Sequence, residues 1–125
     1  MKTTVNDFDT FFESMLTAAL WSSTDDNGEP LDKNHSITDI DPDCLQMLKA
    51  HALSFWIRMW YYLDHEKPEF RSSVVEQAGH DFWLTTQGHG AGFWDGDWPV
   101  YGDMLTKLSK CYPSEMQIEF KQPTQ

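Results

Sequence analysis

The chain has 125 residues, 40% of them hydrophobic and 14% aromatic, with six tryptophans, enough apolar material for one core without disulfides or a structural metal. Twenty acidic against nine basic side chains give a formal charge of −11, which excludes the basic surface that nucleic-acid binding requires. No run approaches the roughly 20 apolar residues of a membrane span, and MKTTVNDFDT at the N-terminus lacks the apolar centre of a signal peptide.

A single domain over 1–125 is therefore expected, ending in a flexible tail at 121–125. In residues 7–20, Phe8, Phe11, Phe12, Met15, Leu16, Ala19 and Leu20 fall on one helical face, with Asn6 placed to cap it. Residues 22–41 carry turn formers and no sustained period, so they read as an ordered acidic loop. Between positions 25 and 43 stand seven acids, Asp25, Asp26, Glu29, Asp32, Asp39, Asp41 and Asp43, against one lysine, Lys33. Such a segment is either a solvated loop or a surface read by a basic partner. TDDNGE has the look of a calcium loop. With Gly28 at the invariant glycine, however, Ser23 and Asn34 occupy the first and twelfth ligand positions, so an EF-hand is rejected.

A second helix is expected to start with Asp41 as cap and Pro42 at its first position and to run to about Asp64. Leu45, Leu48, Ala52, Phe55, Trp56, Met59 and Leu63 make its core stripe, and His51 and Arg58 face solvent. Trp60, Tyr61 and Tyr62 widen the apolar surface beyond one stripe. Either the acidic loop folds back over these rings, or Trp56, Trp60 and Tyr61 form a homodimer contact. RSSVVEQAGH reads as a short helix.

The stretch HDFWLTTQGHGAGFWDGDW, residues 80–98, then reads as a β-hairpin, DFWLTT and AGFWD joined by Gln87-Gly88-His89-Gly90. With the turn centred between Gly88 and His89, His80 faces Asp97, Trp83 faces Trp94 and Leu84 faces Phe93. Gly88, Gly90, Trp83 and Trp94 are the structural residues of that motif. Its residue types also suit a divalent metal, with His80, His89, Asp95 and Asp97 as ligands and Asp81 behind them or acting as a base. Neither HExxH, a CxxC pair, GxSxG nor a phosphate loop is present. Cys44 and Cys111 stand far apart and are expected as free thiols.

Beyond Trp98-Pro99, residues 101–111 make a short helix with Met104, Leu105 and Leu108 inward. MQIEF alternates as a strand, with Met116, Ile118 and Phe120 on one side. The expected class is α+β: two long amphipathic helices and one or two short helices packed on an antiparallel sheet of about three strands.

ALWSSTDDNGEPLDKN, EQAGHDFWLTTQGHGAGFWDGDWP and GDMLTKLSK together resemble a widespread family of small proteins of uncharacterised function encoded in bacteriophage genomes and prophages. The likeness covers about residues 14–110. This chain has Thr86-Gln87 where Arg-Asn is usual in that family, and it ends in SEMQIEFKQ where a tyrosine strand and a glycine-aspartate turn are usual. The resemblance implies a phage product acting in the cytoplasm of a bacterial host, and it brings no catalytic residues with it.

Two functions of different class follow as expectations. One is a non-catalytic accessory protein that binds and modulates a host protein, with anti-defence or DNA-mimic-like action, through Asp25, Asp26, Glu29, Asp32, Trp60 and Tyr61. The other is a small metal-dependent enzyme built on His80, His89, Asp95 and Asp97.

Overall fold

The computed structural model describes residues 5–24, 27–64, 72–88, 102–114 and 116–121; the side chains of 5–7, 60–64 and 72–74 lie outside that description. Its elements are the helices α1 (Val5–Ser22), α2 (Pro42–Asp64), α3 (Ser72–Thr86) and α4 (Gly102–Ser109). Two 3-10 turns, Leu31–Lys33 and Ile37–Asp39, lie between α1 and α2.

α1 forms because its apolar residues repeat at helical spacing, and Phe8, Phe11, Phe12, Met15, Leu16, Ala19 and Leu20 are all buried. Asn6 lies inside its first turn rather than capping it. α2 begins where Pro42 loses nothing by its missing N–H, and the Asp41 carboxylate accepts from the Asp43 and Cys44 N–H groups at 3.0 and 3.3 Å. Leu48, Ala52, Phe55, Trp56 and Met59 face inward.

The largest correction concerns the expected hairpin. HDFWLTT is not a strand: it is the second half of α3, which continues the RSSVVEQAGH helix through to Thr86. Phe, Trp and Thr favour strands, but tertiary burial overrides that preference. Val75, Ala78, Phe82 and Thr86 recur at helical spacing, and Asp81 to Thr86 are buried without a break, so no polar face remains to reveal the period. The expected pairing of His80, Trp83 and Leu84 with a second strand is overturned with it. The residues of that second strand, including Phe93, Trp94, Asp95 and Asp97, lie outside the described residues.

The expected sheet and the α+β class fail for the same reason. Among the described residues there is no strand, and the architecture is helical. MQIEF does alternate, with Met116 buried, Ile118 and Phe120 half-buried, and Gln117 and Glu119 exposed. Its partner, however, is the loop before α2. Asp41 N–H donates to the Glu119 carbonyl and Lys121 N–H to that of Asp39, both at 2.8 Å, around an isolated antiparallel bridge between Ile40 and Phe120.

One core joins these elements. Phe11, Phe55 and Phe82, from α1, α2 and α3, stack on one another with centroids 4.1 to 6.0 Å apart. The Tyr112 ring closes the Phe55–Phe82 pair edge-on, and its hydroxyl meets Ser54 Oγ at 2.9 Å. Each such ring contributes about 1.5–3 kcal/mol by burial. Leu105 is fully buried, whereas Met104 and Leu108 of α4 are only partly so.

The long loop is held by its own bonds, as a connection of this length requires. Leu31 N–H reaches the Ser23 carbonyl at 3.0 Å, and both 3-10 turns pack against α1. Among the described residues, no helix is long and apolar enough to cross a membrane.

Candidate functional site

α3 brings His80 and Asp81 to the C-terminal end of α1. Asp81 is fully buried and accepts from Gln77 Nε2, one turn earlier, at 2.8 Å. Its Oδ1 also stands 3.0 Å from Nδ1 of His80, whose side chain is 31% exposed and lies against the Trp21 ring at 5.5 Å. A carboxylate so placed favours the imidazole tautomer with its proton on Nδ1, leaving Nε2 as the accepting nitrogen. This is the arrangement by which a carboxylate orients a metal-binding or proton-accepting histidine.

Of the expected metal ligands, only His80 is described; His89, Asp95 and Asp97 lie outside the described residues. Among the described residues no group of three or more His, Cys, Asp or Glu converges. Helical geometry, not a hairpin register, sets the direction of His80. Asp81 is where the sequence reading put a group behind the ligands, and its contact with His80 comes from adjacency along one helix.

Trp83 is buried at 1% exposure, and its indole N–H has no hydrogen-bond partner among the described residues. Thr86 donates to the Trp83 carbonyl at 2.7 Å. Gly88 has φ +72° and follows the end of α3, its N–H reaching the Thr85 carbonyl at 3.1 Å. It is therefore a helix terminator rather than a hairpin turn. Gly90 and Trp94 are outside the described residues.

The acids of the loop divide by role. Asp39 closes a capping box with Ser36, accepting from its N–H at 2.9 Å, and Asp41 caps α2. Glu29 pairs with Lys33 at 2.8 Å, Asp32 is exposed, and Asp25 and Asp26 lie outside the described residues. Two of the seven acids thus serve local structure, which thins the array that a phosphate-like surface needs.

On α2, Trp56 is a core residue, 5.0 Å from Phe11 and 6.1 Å from Phe8 between ring centroids, so it forms no part of a surface contact. Trp60 and Tyr61 lie in α2 with their side chains outside the description. His51 is half-buried against the edge of Tyr112, and the exposed Arg58 reaches over that ring at 5.9 Å. α2 also carries an outer ridge that was not expected from the sequence. Met47, Leu53 and Ile57 are 39, 42 and 60% exposed, and the exposed Ala50 lies between Met47 and Leu53. Steps of three, three and four residues were the available signal.

Both cysteines are free, Cys44 buried and Cys111 exposed. Burial pushes the Cys44 thiol up, against the opposing pull of the Glu119 N–H that it accepts. Comparison with family models, with curated proteins and with solved structures finds no match.

Proposed function

We propose that this chain is a non-catalytic, acidic binding protein of the bacteriophage accessory kind that its ALWSS…GEPLD and HDFWLT…GHGAGFWD segments resemble. It acts by docking on a host protein in the host cytoplasm and altering that protein's behaviour. The observation that carries this reading is the outer ridge of α2. Met47, Ala50, Leu53 and Ile57 present adjoining apolar surface to water on a helix whose opposite face already fills the core.

Capture from bacterial lysate at physiological salt tests it. A specific partner should be recovered by the native chain and lost with Ile57→Glu at unchanged melting temperature. Capture unaffected by Ile57→Glu and by Leu53→Glu removes the ridge from the reading, and repeated failure to recover any partner removes the reading itself. Light scattering over a range of concentrations separates the homodimer, in which a second copy covers the ridge.

The paired His80 and Asp81 favour a second reading, a small metal-dependent enzyme with His80 as one ligand. Metal analysis of untagged protein tests this directly. Substoichiometric metal and a melting temperature unmoved by chelation would retire it.

A further inference from the structure

A second surface, separate from the α2 ridge, is an open groove of about 390 Å³ between α1 on one side and the second 3-10 turn with the first turn of α2 on the other. Asp9, Phe12, Glu13 and Leu16 line it from α1, at i, i+3, i+4 and i+7, so it follows two turns of that helix, about 10 Å. Phe12 and Leu16 form its floor, and the half-buried Ile37 and Leu45 form the opposite wall. Asp9 and Glu13 are exposed along the α1 edge, and among the described residues the ion pairs are Lys33–Glu29, His80–Asp81 and Lys107–Asp103, which involve neither.

Charge decides what fits such a groove. α1 contains no lysine or arginine, and Lys33 in the neighbouring loop is held by Glu29. Beside the far wall, Asp39 and Asp41 are taken up as caps, and the exposed Asp43 is offset in charge by the exposed Lys49 one turn beyond Leu45, so the acids that face the groove are Asp9 and Glu13. With a formal charge of −11, the protein repels anionic membrane surfaces and nucleic acid, whereas a cationic chain is attracted. A groove two turns long with an apolar floor takes two large side chains one helical turn apart.

We propose that this groove binds a basic amphipathic helix of a partner protein. Two aliphatic side chains of that helix sit over Phe12, Leu16, Ile37 and Leu45, and lysines or arginines on its flanking turns meet Asp9 and Glu13. The proposal rests on the protein-binding reading above but not on the α2 ridge, so the two surfaces are tested apart.

The test is fluorescence anisotropy of the full chain with a fluorescein-labelled synthetic helix bearing leucines on one face and lysines on the other. Saturable binding that weakens with salt is expected. The double variant Asp9→Asn, Glu13→Gln, which changes only exposed groups, should weaken binding roughly five- to tenfold. Ile37→Glu should weaken it at least tenfold, with Ile57→Glu leaving it unchanged.

Equal binding of a control peptide with glutamines in place of leucines would overturn the proposal, as would full binding to both groove variants. Either result would mean diffuse adsorption to an acidic surface. Loss of binding with Ile57→Glu alone would place the peptide on the ridge and overturn the groove. Intact groove binding, alongside failure to capture any host protein, would sink the host-partner reading while leaving the groove's chemistry standing.

Discussion

Gly79 of α3 lies directly on the backbone of Phe11 in α1: a Cβ at Gly79 would collide with the Phe11 carbonyl oxygen and come within 3.1 Å of the Met15 nitrogen. The obstacle is backbone, which cannot rotate away. A glycine in mid-helix ordinarily costs about 1 kcal/mol relative to alanine. Here it lets two helices approach closely enough for Ser14 Oγ to reach the Glu76 carbonyl and for Phe11 to stack on Phe82.

Gly79→Ala should therefore destabilise the protein by roughly 1–3 kcal/mol, although the same change in a solvated helix would stabilise it. Urea denaturation checks this. A gain in stability would show that α1 and α3 do not meet at this point.

Gly88 behaves differently, because nothing lies within 4 Å of an added Cβ and only its φ of +72° resists substitution. Gly88→Val should cost about 1–3 kcal/mol, since a β-branched residue is strained in that region. Gly88→Asn should cost much less, asparagine being the usual alternative at a helix terminator. Equal losses in the two variants, read from thermal melts, would point to a packing role instead.

Removing the buried carboxylate with Asp81→Ala takes the acceptor from Gln77 Nε2 and from His80. A loss of about 1–3 kcal/mol is expected. The imidazole C–H resonances of His80 should also shift, because the ring loses the partner that orients it. Unchanged resonances and unchanged stability would mean that the pair does not persist in solution.

Cys111 should react with a thiol reagent within the mixing time, and Cys44 only as the protein opens, since the first is exposed and the second buried. Burial raises the Cys44 pKa, so the folded state holds that proton more tightly than the unfolded chain does. The resulting stabilisation is full below the ordinary thiol pKa of about 8.5 and declines as pH rises through the folded value. The stability difference between native protein and Cys44→Ala should accordingly narrow in alkaline solution. A difference that widens with pH would contradict the raised pKa.

Much of the helical framework is written locally. The stripe of Phe8, Phe11, Met15 and Leu16, and the Asp41-Pro42 start of α2, depend on spacing and capping that involve only neighbouring residues, and both are present in the structure. The alternation of Met116, Ile118 and Phe120 was equally legible, although what it pairs with was not. Three features needed the tertiary structure. DFWLTT is helical because other elements surround it, and a segment buried at every position displays neither a helical nor a strand period. His80 meets Asp81 instead of a carboxylate across a hairpin because neighbouring side chains on a helix stand only about 100° apart, whereas on a strand they point to opposite faces. No local feature of the sequence marks Gly79 as the point where two helices meet, and the groove beside Phe12 and Leu16 has no local signature. Both arise where residues distant in sequence come together, and no pattern confined to one segment encodes such a meeting.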